Sequence, residues 1–80
     1  MSPMIGYISD VLHKEFDVPA DLLTPDTAFE ALSIDSLVLL ELAVIVERQL
    51  GVVIEEGELT EEQTLAEAAA LLSAKGAVLR

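Results

Sequence analysis

The sequence contains no cysteine and no tryptophan, and only 4% of its 80 residues are aromatic. Without cysteine the chain has no disulfide framework, no thiolate metal site and no thiol nucleophile, so its stability must come from packing. Positively charged residues are also scarce. The chain has four Lys and Arg residues and fifteen Asp and Glu residues, for a formal net charge of −11. Such an acidic surface repels nucleic acid and anionic lipid, and it predicts partners with basic surfaces.

Long apolar runs and export signals are missing as well. No run approaches the roughly 18 apolar residues of a membrane helix, and no basic segment followed by an apolar stretch opens the chain. We therefore expect a cytoplasmic monomer that does not associate with membranes. A chain of 80 residues forms one domain, residues 1–80, and buries only about 60% of the surface that its unfolded form exposes. Its aliphatic composition, 52% hydrophobic, favours a tightly packed helical bundle.

The first helix is predicted to begin at Pro3, whose missing N–H suits a first turn, with Ser2 as its N-cap. Its inner face is marked by apolar side chains at helical spacing: Ile5, Ile8, Leu12 and Phe16. The helix should end at Asp17, because Pro19 disfavours a helical conformation in the residue before it.

A long ordered loop is predicted for residues 18–35, which show no sustained period and contain Pro19 and Pro25. Apolar residues within it indicate that it packs across the bundle. Either Asp35 or Ser36 can cap the second helix, which runs without a breaker to Gly51.

The remainder of the chain predicts two more helices. Glu55 to Leu59 should form a short third helix of marginal stability, since Gly57 in its middle costs about 1 kcal/mol relative to Ala. Thr64 should cap the fourth, with Glu67 completing a capping box. The predicted fold is all-α: a small four-helix bundle with a long loop between the first and second helices.

The second helix carries apolar side chains on two faces. One stripe suits a bundle core: Leu39, Leu42, Ala43, Val46 and Leu50. The opposite side places three apolar residues among the acidic Glu41 and Glu47: Leu37, Leu40 and Val44. Apolar side chains left in water beside charges predict a docking surface. The alternative is a helix buried on most sides, for which so short a chain provides little covering protein.

Ser36 lies at the predicted start of the second helix. The first backbone N–H groups and the positive end of the helix dipole are close to a hydroxyl in that position, which suits an anionic modification such as a phosphate ester. Simple capping is the alternative interpretation of an Asp-Ser pair at a helix start. Spacing alone does not decide between the two.

The stretch Ile34-Asp35-Ser36-Leu37, which opens a helix that ends in Gln49-Leu50-Gly51-Val52, resembles the acyl carrier protein family. The resemblance covers nearly the whole chain and includes three further positions: Phe29, Ile54 and Thr64. It implies that a phosphopantetheinyl transferase joins 4′-phosphopantetheine from coenzyme A to Ser36, giving a phosphoprotein. Acyl groups would travel as thioesters on this arm, and the chain itself would not be an enzyme.

The resemblance also implies the residues that partners contact. The residue that matches Asp35 helps the transferase to engage its metal and coenzyme A. Basic patches on ketosynthase, acyltransferase and other synthase enzymes would bind one acidic and apolar surface: Leu37, Leu40, Glu41, Val44 and Glu47. Glu55 and Glu56 would extend it. Ser33 where many relatives have Gly, and Glu55 where Pro is usual, are departures that leave the attachment site in place.

The leading hypothesis is thus a free-standing carrier protein of fatty acid or polyketide biosynthesis. A peptidyl or aminoacyl carrier ranks lower, because those carriers usually show paired glycines where this chain has Leu32-Ser33-Ile34. From another class, an acidic regulatory or mimic protein could block a basic surface by helix docking, with Ser36 only a cap. A hydrolase using Ser36 lacks an adjacent base. His13, the single histidine, is expected on the solvated side of the first helix, and no metal site is predicted.

Overall fold

The computed structural model describes residues 3–77. They form three α-helices and two short 3₁₀ helices: α1 (Pro3–Phe16), the 3₁₀ helices Ala20–Leu22 and Phe29–Leu32, α2 (Ser36–Leu50) and α3 (Leu65–Ala74). The only β-type pairing within this range is an isolated bridge between Ala28 and Thr64. The all-α prediction is confirmed, while the predicted cap Ser2 lies outside the described residues.

Helix α1 ends where the sequence predicts. Asp17, directly after it, adopts a left-handed conformation with φ of 59°. The N–H of Val18 then donates to the carbonyl of Leu12 (3.2 Å), a backbone bond that spans seven residues and closes the helix end. Asp is among the few non-glycine residues that tolerate this conformation.

The core includes one apolar face of each α-helix and the ring of Phe29 from the long loop. Its largest fully buried side chains are Phe29, Ile8, Leu12, Leu42, Leu65, Leu72 and Val46. Helix α1 packs directly against α3, where Ala68 and Ala69 are buried. The small alanine side chains allow this close approach.

The long loop is ordered because it is bonded to the start of α3. Leu65 and Ala66 donate their N–H groups to the carbonyls of Thr27 and Pro25, both at 3.0 Å. These bonds satisfy donors that the first turn of a helix leaves without intrahelical partners. The predicted capping box adds two more bonds between Thr64 and Glu67, at 3.0 and 3.1 Å. The loop and α3 therefore fix each other.

The prediction of a short helix from Glu55 to Leu59 is wrong, because these residues form turns and bends in the structure. Gly57 has φ of 88°, which a right-handed helix cannot contain. The carboxylate of Glu58 accepts the N–H of Glu55 (2.7 Å), but no helix follows this bond, because the chain turns at Gly57. Within residues 3–77 the bundle therefore has three α-helices, not four. None of the described helices combines the length and apolar character needed to cross a membrane.

Candidate functional site

Ser36 is exposed and is the first residue of α2. The cap is Asp35, which is extended and accepts the N–H of Val38 through Oδ1 at 3.0 Å. The sequence left open which of the two residues caps the helix, and the structure assigns this role to Asp35. The Ser36 hydroxyl makes no hydrogen bond within the described chain. It is therefore available for chemistry.

Buried residues on both sides of Ser36 hold the helix start in place. Ile34, two residues before it, and Leu39, three residues after it, are each only 4% exposed. The N–H of Ile34 donates to the carbonyl of Phe29 (3.2 Å), and that of Leu39 donates to the carbonyl of Asp35 (3.0 Å). Ser36 thus lies between residues that are packed into the core, although its own side chain faces solvent.

The two faces of α2 are confirmed. Leu39, Leu42 and Val46 are buried, whereas the predicted docking residues Leu37, Leu40 and Val44 are 64%, 58% and 46% exposed. Ala43 and Leu50, also assigned to the inner stripe, are partly buried. Glu41 is exposed among the three apolar residues of the outer face. This outer face, together with Glu41, is called the α2 surface below.

Glu47 differs from the other predicted surface acids because the fold uses its side chain. It is partly buried, and its Oε2 accepts the N–H of Ile54 at 2.9 Å. Gly51, with φ of 71°, ends α2 between the two residues and turns the chain back toward Glu47. This contact was not predicted from the sequence. The glycine C-cap was visible, but nothing in the pattern showed that the backbone after it would return to Glu47.

A groove of about 520 Å³ borders Ser36 and lies between α2 and the segment 54–59. Along α2 it extends from Ser36 to Glu47, twelve residues that span about 16 Å of helix. Its walls are mainly apolar, with four side chains from α2 and two from the facing segment: Leu39, Leu40, Ala43, Val44, Ile54 and Leu59. Glu55 and Glu56, predicted to extend the docking surface, are exposed and lie on the same groove.

The charges around the groove are almost all negative. The only ion pair in the described part of the chain joins Lys75 Nζ to Glu58 Oε1, at 2.7 Å. Hydrogen bonds from Lys75 and from the N–H of Glu55 lower the pKa of Glu58 below its ordinary value. Glu58 is thus paired with a cation, and the acidic border of the groove comes from Glu47, Glu55 and Glu56.

Other titratable side chains are engaged elsewhere. His13 is exposed, as predicted, and its Nδ1–H donates to the carbonyl of Val18 at 2.8 Å. Tyr7 on α1 donates its hydroxyl to Gln49 near the end of α2, and burial raises the Tyr7 pKa. Among residues 3–77, no His, Asp and Glu side chains form a group that could hold a metal ion.

Comparison with known families gives one match. A family model described as a phosphopantetheine attachment site matches residues 6–72, which is most of the chain and includes the whole of α2. Members of this family bind 4′-phosphopantetheine covalently. The residues present fit such a group, since an exposed hydroxyl without an internal partner stands at a helix N-terminus, where backbone N–H groups favour a phosphate.

Proposed function

Because the chain belongs to the phosphopantetheine attachment-site family, we propose that it is an acyl carrier protein that bears 4′-phosphopantetheine on Ser36. In this role it carries thioester-bound acyl or polyketide intermediates between the enzymes of a synthase. The observation that carries the assignment is the exposed Ser36 hydroxyl, which is left without an internal hydrogen bond because Asp35 caps α2.

In this proposal Ser36, Asp35 and the first backbone N–H groups of α2 have different tasks. The Ser36 oxygen would displace adenosine 3′,5′-bisphosphate from coenzyme A, whose pyrophosphate bond breaks, and so become the protein side of the phosphodiester. The first N–H groups of α2 would stabilise the negative charge of the phosphate. No base is hydrogen-bonded to this hydroxyl within the described chain, so the transferase must remove the proton. Asp35 keeps the helix start in place and offers a carboxylate to the transferase. When bound, the prosthetic group supplies the thiol that forms the thioester.

We propose that the chain itself catalyses no reaction and acts by placing its cargo. Support comes from the surroundings of Ser36, because a serine nucleophile needs an adjacent base to activate it. The single histidine, His13, is bonded to Val18 at the end of α1. The missing cysteine is consistent with a reactive sulfur that belongs to the prosthetic group.

The α2 surface is the proposed docking site for the transferase, the ketosynthase, the acyltransferase and other synthase enzymes. Acidic residues would attract basic patches and speed encounter, while the exposed leucines supply a small apolar contact. Such a contact binds weakly, as a carrier that must leave each enzyme requires. Glu55 and Glu56 extend this surface, whereas Glu47 contributes charge but is also bonded to Ile54.

Charge reversal at Glu41 tests the docking site. Glu41→Lys should slow loading by a transferase, while Glu15→Lys, an exposed acid on α1 with the same change in net charge, should not. The far-ultraviolet circular dichroism of both variants should match that of the parent, because neither side chain is buried. Equal loading rates for the two variants would contradict docking through the α2 surface.

Intact-mass measurement tests the attachment. Incubation with a broad-specificity phosphopantetheinyl transferase and coenzyme A should add one phosphopantetheinyl group to the protein. Ser36→Ala should add none and Ser33→Ala should add one. Ser36→Ala is expected to remain folded, because Asp35 supplies the cap. No mass gain under conditions that load a known carrier would favour the acidic regulatory or mimic protein instead.

A further inference from the structure

The segment 52–59, on the far side of the groove from α2, has almost no backbone pairing of its own. Its only internal backbone bond runs from the N–H of Glu58 to the carbonyl of Glu55 (3.1 Å). Side chains hold the rest: Glu47 accepts from Ile54 (2.9 Å), Glu58 accepts from Glu55 (2.7 Å), and Gln63 donates to the carbonyl of Glu58 (2.9 Å). The position of this segment therefore depends on these side-chain anchors and on the packing of Val52, Ile54 and Leu59 against the core.

Glu58 connects the segment to α3. Its Oε1 accepts from the N–H of Glu55 and also pairs with Lys75 Nζ at 2.7 Å. Lys75 lies directly after α3, and its N–H donates to the carbonyls of Leu71 and Leu72 at 3.1 and 3.2 Å. The lysine and glutamate side chains are only 20% and 29% exposed. This pair is thus a fixed link between the core helix α3 and the turn at residues 55–58.

Acidic side chains on both sides of the groove repel each other, and the Glu58–Lys75 pair opposes this repulsion. Glu55 and Glu56 line the groove together with Glu47 of α2, so like charges oppose close approach of the segment to the helix. Gly57 packs against nothing, since no atom would lie within 4 Å of a side chain placed there. The side-chain anchors and the packing of Val52, Ile54 and Leu59 against the core oppose this repulsion.

We propose that the Glu58–Lys75 ion pair is a positioning contact that holds residues 54–59 against α2 and thereby sets the width of the groove beside Ser36. Ile54 and Leu59 supply the apolar lining of this wall. The pair and the Glu47–Ile54 bond anchor the two ends of the wall, so loss of the pair should loosen the whole segment. The consequence for cargo on Ser36 rests on the proposed carrier function, whereas the anchoring itself does not.

Residue-resolved amide exchange on the unmodified protein tests the anchoring. In Lys75→Met, the N–H groups of Ile54, Glu55 and Thr60 should exchange about two- to fivefold faster, as loss of a surface ion pair allows. The N–H of Ala68, inside α3, should keep its rate. Lys75→Arg should restore the parent rates.

Lys14→Met is the matched control, because Lys14 is an exposed lysine on α1 and its loss changes the net charge equally. Its exchange rates should equal those of the parent. Two results would overturn the proposal: equal rates in Lys75→Met and Lys14→Met, or faster exchange at Glu55 alone. The second result would show that Glu58 fixes its own turn and not the wall.

A second readout tests the link with the groove. The protein is loaded at Ser36 from a coenzyme A analogue whose tail carries a fluorophore that responds to solvent polarity. Emission should move to longer wavelength in Lys75→Met relative to Lys14→Met. Unchanged emission despite faster exchange would overturn the role in setting the groove. Failure of both variants and the parent to load would contradict the carrier function, while the exchange rates would still decide the anchoring.

Discussion

Replacing Asp35 separates its two proposed roles, which are to cap α2 and to present a carboxylate to the transferase. Its Oδ1 accepts the N–H of Val38 at 3.0 Å and caps α2. Removing an N-cap side chain costs roughly 0.5–2 kcal/mol, typically about 1. A loss of about 1 kcal/mol lowers the Tm of a domain of 60–100 residues by about 4–8 °C. Asp35→Ala should therefore melt several degrees below the parent, whereas Asp35→Asn, which keeps an acceptor, should lose much less.

The assay combines thermal unfolding, followed by far-ultraviolet circular dichroism, with the rate of phosphopantetheine loading. Asp35→Asn should be close to the parent in stability yet slow in loading, because the transferase loses a carboxylate beside Ser36. A parent-like Tm for Asp35→Ala would refute the capping contribution. Parent-like loading of Asp35→Asn would show that Asp35 acts only as a cap.

Three further predictions concern the scaffold. Ser9→Ala should stabilise the protein by about 1 kcal/mol in urea unfolding, because the buried Ser9 Oγ makes no hydrogen bond within the described residues; a loss of stability would contradict this. Gly51→Ala should destabilise by about 1 kcal/mol, since φ of 71° is left-handed, and an unchanged urea midpoint would be evidence against that strain. Burial raises the pKa of Tyr7 in the folded state above 10.0. The contribution of Tyr7 to the free energy of unfolding should therefore be complete below pH 10.0 and decline as the pH rises through the folded-state pKa. Tyr7→Phe should remove this decline, and identical alkaline unfolding curves for Tyr7→Phe and the parent would contradict it.

Local signals were sufficient to predict much of the fold. Pro19 after α1, Gly51 after α2 and the pair Thr64 and Glu67 at the start of α3 each act within a few residues of a helix end, so their effects follow from the sequence. The two faces of α2 were predictable for the same reason. Helical spacing separates the buried from the exposed apolar residues without any knowledge of the neighbouring helices.

Contacts between distant residues were not predictable in this way. The bonds of Glu47 to Ile54, Glu58 to Lys75 and Tyr7 to Gln49 depend on how the chain folds back on itself. The incorrect prediction of a helix from Glu55 to Leu59 also arose because distant contacts were not visible in the sequence. The acidic residues of this segment allow a helix, but the positive φ of Gly57 and the long-range anchors favour turns. Ser36 was selected as the candidate from its motif, while the freedom of its hydroxyl required knowing that Asp35 is the cap.

Fragment-mass analysis of the loaded protein tests the central claim most directly. After transfer from coenzyme A, the phosphopantetheinyl group should be found on Ser36 alone, with the other serines unmodified. Ser33 is the most demanding comparison, because it is also exposed and lies only three residues away. A group on Ser33 or on any residue other than Ser36 would contradict the account.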